Sequence, residues 1–145
     1  MVAQGTVEGV SIAADAGTQM PAGTALGLGA LMIVSGGLLV GVGWAAATGR
    51  LRRNWFAGIR TTASMSSDEA WDACHRAGGR LMAAGGVASV VCGLPLLLRP
   101  SNGVGLTFVV VGLVAVLVMT IWSGLVGNRA AKAVISAERD GGTAG

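Results

Sequence analysis

The charged positions of this chain divide it before any motif does. No Asp, Glu, Lys or Arg occurs in residues 16–49, 81–98 or 100–128. Inside these gaps lie three apolar runs, Thr24–Ala47, Leu81–Leu98 and Val104–Val126, of 24, 18 and 23 residues. At about 1.5 Å per helical residue they reach roughly 36, 27 and 35 Å. Each can cross a hydrocarbon layer of about 30 Å, the second only just. A soluble helix of such length would place a polar residue every three or four positions, and these runs do not. The pattern predicts an all-α integral membrane protein with three transmembrane helices over 24–47, 81–98 and 104–126.

The segments between the runs have their own pattern. Residues 1–22 are small and polar without a periodic face, and predict a flexible extracytoplasmic tail. Gly49–Met65 shows no helical period. From Ser66 the period returns: Ser66 and Glu69 form an S-x-x-E capping box, and Asp68 and Glu69 suit a helix N-terminus. Trp71, Cys74, Gly78 and Leu81 then share a stripe, with Asp72, Arg76 and Arg80 mostly on another. This predicts a cytoplasmic interfacial helix running or bending into the second span. Arg99-Pro100-Ser101-Asn102-Gly103 reads as a compact turn, and Pro95 as a break where it costs least. The third helix is expected to continue past Arg129 towards Ala137. The unit is therefore a membrane domain over 23–137, with a motif segment at 48–80 and a cytoplasmic tail at 138–145.

Composition sharpens this. Of 145 residues 52% are hydrophobic and 12% charged, and 25 are glycine. A soluble domain carries about twice that charge. Disorder needs the opposite balance, low hydrophobicity with high net charge. The ten Lys and Arg residues set an orientation: six lie in 48–80, three in the C-terminal tail, and Arg99 alone sits between the second and third spans. The positive-inside rule puts the N-terminus outside and the C-terminus in the cytoplasm. Trp44, Trp122, Trp55 and Trp71 all fall near the basic side, where indole rings favour the interface, and Trp55 and Trp71 read as interface anchors. No cationic n-region precedes the first run, so no cleaved signal peptide is expected. The net charge of +3 accompanies no nucleic-acid-reading motif.

Small residues recur at close-packing intervals. Gly23/Gly27, Gly37/Gly41 and Ser89/Gly93 are small-xxx-small pairs that let helix backbones approach in lipid. They serve packing among the three spans, association with another chain, or both. Gly85-Gly86 lacks the Lys-Ser/Thr of a phosphate loop and counts as packing. No ionisable residue is expected inside a span, which disfavours an ion-coupled transporter. His75 is the single histidine, and Cys74 beside it points about 100° away on a helix, so neither a metal site nor a Cys/His nucleophile is expected. Cys74 and Cys92 are too far apart to meet. The residues predict no enzyme, cofactor or metal.

The densest pattern is Asn54-Trp55-Phe56-Ala57-Gly58-Ile59-Arg60-Thr61, followed by Ser66, Trp71, His75 and Arg76. Gly58, Ile59, Arg60, Thr61, Ser66, Trp71 and His75 together resemble the motif of the SdpI membrane-protein family. Thr62 stands where that family usually has Pro, and Ser64 and Cys74 where it usually has Thr. Losing the Pro loosens the turn expected after Thr61. The resemblance implies a three-span unit with the motif between its first two spans. It also implies a role in immunity to a secreted toxic peptide, or in signal transduction by holding a soluble repressor at the membrane.

The motif residues admit a physical reading of their own. Gly58 permits a positive φ or a close backbone approach. Arg60 suits a lipid phosphate, a helix C-terminus, or a pairing with Asp68, Glu69 or Asp72. His75 can pack on the Trp71 indole, as an ordinary interfacial histidine or as a pH sensor or ligand. The expected binding residues are Asn54, Gly58, Ile59, Arg60, Thr61, Ser66, Trp71, His75 and Arg76. The expected partners are the bilayer and another membrane protein, a toxin peptide or a regulatory protein. The competing reading is an accessory subunit packed into a larger complex through its glycine-rich helix faces.

Overall fold

The computed structural model describes residues 17–53 and 58–142. Helix α1 spans Ala22–Ala47, α2 spans Asp68–Gly93 and continues as a 3-10 turn over Leu94–Leu98, and α3 spans Asn102–Gly142. All three are long and apolar enough to cross a membrane. Their outward faces are leucine and valine, such as Leu31, Leu38, Leu106 and Leu117. That is the surface a helix presents to hydrocarbon rather than to water.

Two expectations about α2 are corrected. The separate interfacial helix over 66–80 does not form, because α2 runs unbroken from Asp68 through the start of the apolar stretch to Gly93. Nothing in Arg76-Ala77-Gly78-Gly79-Arg80 interrupts the backbone ladder, and both glycines lie against neighbouring helices. The cap also moves by one residue. Ser67, not Ser66, is the N-cap, and its Oγ accepts the Ala70 N–H at 3.1 Å. Ser66 instead donates to the Ala63 carbonyl at 2.7 Å, closing the preceding turn. Asp68 and Glu69 thus occupy the first turn, where the helix dipole favours them.

The ends are set by local chemistry. At the C-terminus of α1, Gly49 adopts φ +69°, donates to the Ala46 carbonyl, and lets Arg50 reach back to the Ala45 carbonyl. This is the Schellman arrangement, which favours glycine at the left-handed position. At Pro95 the α-helix gives way to the 3-10 turn, and Arg99 at φ 55° redirects the chain. α3 is 41 residues long and passes Ala137 to end at Gly142. Part of the segment expected to form a loose N-terminal tail is held. The Met20 N–H bonds to the Pro100 carbonyl, Asn102 bonds to Thr18 through backbone and side chain, and Met20 is buried beside Gly105.

α2 is the middle helix, and its paired glycines serve two neighbours at once. A methyl group placed on Gly36 would lie 2.6 Å from the Gly86 carbonyl oxygen, and one on Gly43 2.7 Å from that of Gly79. Gly29 and Gly93 face each other in the same way, at 3.1 Å. On both helices these glycines are seven residues apart, an interval that keeps them on nearly one stripe. Ser89 joins the seam by donating to the Met32 carbonyl at 2.9 Å. Gly78 and Gly85, one position earlier on α2, face Ser123 and Met119 of α3 instead. Gly23, Gly27, Gly37 and Gly41 do not take part: a methyl on any of them would meet nothing within 4 Å. The α1 contribution to intramolecular packing therefore falls on Gly29, Gly36 and Gly43. α1 meets α3 only sparingly, chiefly where Met32 reaches Gly112.

Candidate functional site

The segment between α1 and α2 folds back onto α2 and α3 and is fixed there by polar contacts. Gly58 has φ +108°, and its Cα lies so close to His75 that any side chain would collide with the ring Nε2. The next N–H, that of Ile59, donates to His75 Nε2 at 2.9 Å. The Ile59 side chain then plugs a notch made by two glycines. Methyl groups on Gly78 of α2 and Gly127 of α3 would come within 2.7 and 3.2 Å of its Cδ1. Ala63 and Ile135 pack around the same small cluster of Ala70, Cys74 and Ala131.

Thr61 closes the following turn. Its N–H donates to Ser64 Oγ at 2.8 Å, while the Ser64 N–H donates to Thr61 Oγ1 at 3.1 Å. The Met65 N–H bonds to the Thr61 carbonyl at 3.1 Å. The turn expected to loosen without proline is thus held by a buried serine. Thr61 Oγ1 also donates to Asn128 Oδ1 of α3 at 3.0 Å, tying the loop to a helix 67 residues away. Deeper in the seam, Ser123 Oγ donates to the Gly78 carbonyl at 2.8 Å.

The reading of Trp71 is corrected as well. It is 1% exposed, so it is a core residue of this end rather than an interface anchor. Its Nε1 donates to the Leu51 carbonyl at 2.7 Å, and its ring stacks on His75 with centroids 3.9 Å apart. Trp44 and Trp122 are over half exposed, and Arg50 lies 4.7 Å over the Trp44 ring, a cation–π contact. Asn54 and Trp55 lie outside the described residues.

The charged residues form the outside of this assembly. Arg53 pairs with Asp68 at 3.0 Å, and Arg76 with Asp72 at 3.5 Å while lying across Gly49. Arg60 is exposed on the loop, and the ion pairs at Asp68 and Asp72 are made by Arg53 and Arg76. A cleft of about 530 Å³ opens between Arg52, Arg53, Asp68, Glu69, Trp71 and Asp72. The structure therefore gathers Gly58, Ile59, Thr61, Trp71 and His75 into one interior and leaves Arg60 and Arg76 at its surface. Leu51, Ser67, Ser123, Gly127 and Asn128 belong to the same assembly without a motif marking them, and Ser64, marked only as a departure from the family pattern, holds the turn. Asn128 had one signal, as the amide that ends the charge-free stretch next to Arg129.

Three apolar helices joined by a polar segment braced at one end define a multi-pass α-helical membrane protein. The match that places it more closely covers residues 50–123, which hold the braced loop, all of α2 and the first half of α3. Over that stretch the chain fits the SdpI/YfhL family model, and it belongs to the SdpI/YfhL protein family. No curated protein and no solved structure matches the chain.

Proposed function

We propose that this protein is a non-enzymatic bacterial binding protein of SdpI type, acting in toxin-peptide immunity or membrane-linked signalling through the surface carried by its motif. The nine cationic residues on one side of the spans favour an inner-membrane orientation with the N-terminus outside and the motif in the cytoplasm. The observation that carries the reading is the division of labour within the motif. Gly58, Ile59, Thr61, Trp71 and His75 are spent on holding the loop, which fixes the placement of Arg60 and of the cleft bounded by Arg52, Arg53, Asp68, Glu69 and Asp72. A rigid support under a small set of exposed charges is what selective capture of a peptide or protein requires, because less ordering entropy is lost on binding. No cofactor enters this reading.

The second reading, an accessory subunit in a larger complex, draws on the open face of α1. Gly23, Gly27, Gly37 and Gly41 present bare backbone away from the rest of the chain, the surface that another membrane helix approaches most closely.

One experiment separates the two. Cells expressing wild-type, Arg60→Ala/Glu69→Lys or Gly37→Leu/Gly41→Leu protein are challenged with membrane-active toxic peptides, and each protein is purified in mild detergent. The first reading expects protection that falls about tenfold, equivalent to about 1.4 kcal/mol, only in the charge variant, with insertion and thermal stability kept. The second expects loss only in the glycine variant, together with a stoichiometric partner subunit. Equal behaviour of all three proteins overturns both.

A further inference from the structure

His75 is 1% exposed, yet both of its ring nitrogens are occupied by groups with fixed roles. Nδ1 lies 2.8 Å from the Trp71 carbonyl oxygen, which can only accept, so Nδ1 carries the hydrogen. Nε2 lies 2.9 Å from the Ile59 N–H, which can only donate, so Nε2 is bare. The ring is thus held as the neutral Nδ1–H tautomer. A second proton has one place to go, and the loop occupies it.

We infer that His75 is a proton-operated latch: the loop at Gly58–Thr61 and a proton compete for the Nε2 lone pair, so that acidification releases the loop. This deepens the proposed function by supplying a regulation of the same motif surface. Gly58 carries the backbone in at φ +108°, with no side chain to cushion the ring, and leaves no room for an added N–H. Release of Ile59 N–H draws its side chain from the notch between Gly78 and Gly127 and moves Arg60, which sits between Ile59 and Thr61. The surface offered to a partner therefore changes with the charge on a residue that the partner never touches.

The surroundings leave the ring as the titrating group. On α2 the carboxylate that acts on the ring is Asp72, already paired with the neighbouring Arg76, while Asp68 two turns earlier pairs with Arg53; Cys74 lies beside the ring in sequence but against Gly127 of α3. The loop presents Gly58 and the Ile59 amide, with Arg60 exposed beyond them. The segment after α1 presents Leu51, which takes the Trp71 indole hydrogen. The α3 residues facing the loop, Ser123, Gly127 and Asn128, are uncharged.

His75 is the chain's one histidine, so NMR of the uniformly ¹⁵N-labelled full chain in lipid nanodiscs reads its ring without ambiguity and the Ile59 amide in the same sample. At pH 8 the expected spectrum is that of the neutral Nδ1–H tautomer, with a protected Ile59 amide. As pH falls, the imidazolium signal and loss of Ile59 protection appear with one midpoint, amide exchange rising about tenfold beyond its intrinsic pH dependence, the scale of one lost hydrogen bond. His75→Gln offers an oxygen acceptor that does not titrate, and its loop is expected to stay docked across the range. A neutral Nε2–H tautomer at pH 8 overturns the latch, as does an imidazolium that forms while Ile59 stays protected. None of these readouts involves a partner or a toxin, so the latch and the proposed function fail separately.

Discussion

Along α1, the middle helix is met by bare backbone: Gly29, Gly36 and Gly43 lie against Gly93, Gly86 and Gly79, and the Ser89 hydroxyl donates across the seam to the Met32 carbonyl. Along α3 and the loop it is met by hydrogen bonds: its His75 takes the Ile59 N–H, its Trp71 donates to the Leu51 carbonyl and its Gly78 carbonyl takes the Ser123 hydroxyl, while Thr61 ties the loop to Asn128 of α3. The difference follows from what each seam must do in lipid. Between two apolar helices the hydrophobic effect supplies little, so association rests on close van der Waals packing, which glycine maximises. The second seam stores its specificity in hydrogen bonds, which can be exchanged for others and can respond to a proton.

The sharpest way to break the first seam is to fill it. Gly36→Leu drives a side chain into the Gly86 carbonyl, which cannot move aside as a flexible side chain would. The expected loss is about 3 kcal/mol, at the upper end for overpacking. Gly37→Leu, next door but facing open space, is expected within about 0.5 kcal/mol of wild type. Unfolding in mixed detergent micelles measures both, and equal losses would refute the register of α1 against α2.

In the second seam the largest expected effect comes from Ile59→Ala, which empties the notch between Gly78 and Gly127. Removing a half-buried isoleucine from such a site costs about 2 kcal/mol. Hydrogen exchange localises it: protection falls over 58–65 and at the facing turn of α3, while the α1–α2 seam is unchanged. Uniform loss of protection would show that the two seams are not separable. The smallest effect is expected at Arg53→Gln. Its ion pair with Asp68 is solvent-exposed, worth under about 1 kcal/mol, and what it contributes shrinks further in high salt.

Much of this was legible along the chain, and the failures are specific. The charge-free gaps gave the three helices, because lipid excludes charge from a span wherever that span sits in the fold. The motif marked the segment that folds back onto α2 and α3, including the His75–Trp71 contact at a spacing of four. Of the expected packing pairs, Ser89/Gly93 lies in the α1–α2 seam, whereas Gly23/Gly27 and Gly37/Gly41 face away from the other helices. A helix apolar on all sides has no hydrophobic stripe, so Gly36-Gly37 offers two equally good faces until a partner selects one. An indole near a basic segment usually anchors at the interface, and the sequence offers nothing to set Trp71 apart from that rule. What buries it is the Leu51 carbonyl, 20 residues earlier, brought over by the Schellman turn at Gly49. The cap at Ser67 rather than Ser66 is a one-residue ambiguity that two adjacent serines leave open.

By itself, then, the sequence determined that this chain carries three helices long and apolar enough to cross a membrane, that nine of its ten cations lie on one side of them, and that one segment there carries the family motif. These are properties of transfer into lipid and of local spacing, and they do not depend on which helix touches which. The tertiary structure alone decided that the motif turns most of its residues inward, that Asn128 and the Gly78–Gly127 notch receive them, and that Ile59 occupies the free lone pair of His75. Those are pairings across 16 to 67 residues of chain. They arise because α2 must satisfy two neighbours at once, and no local pattern states which neighbour each face will meet.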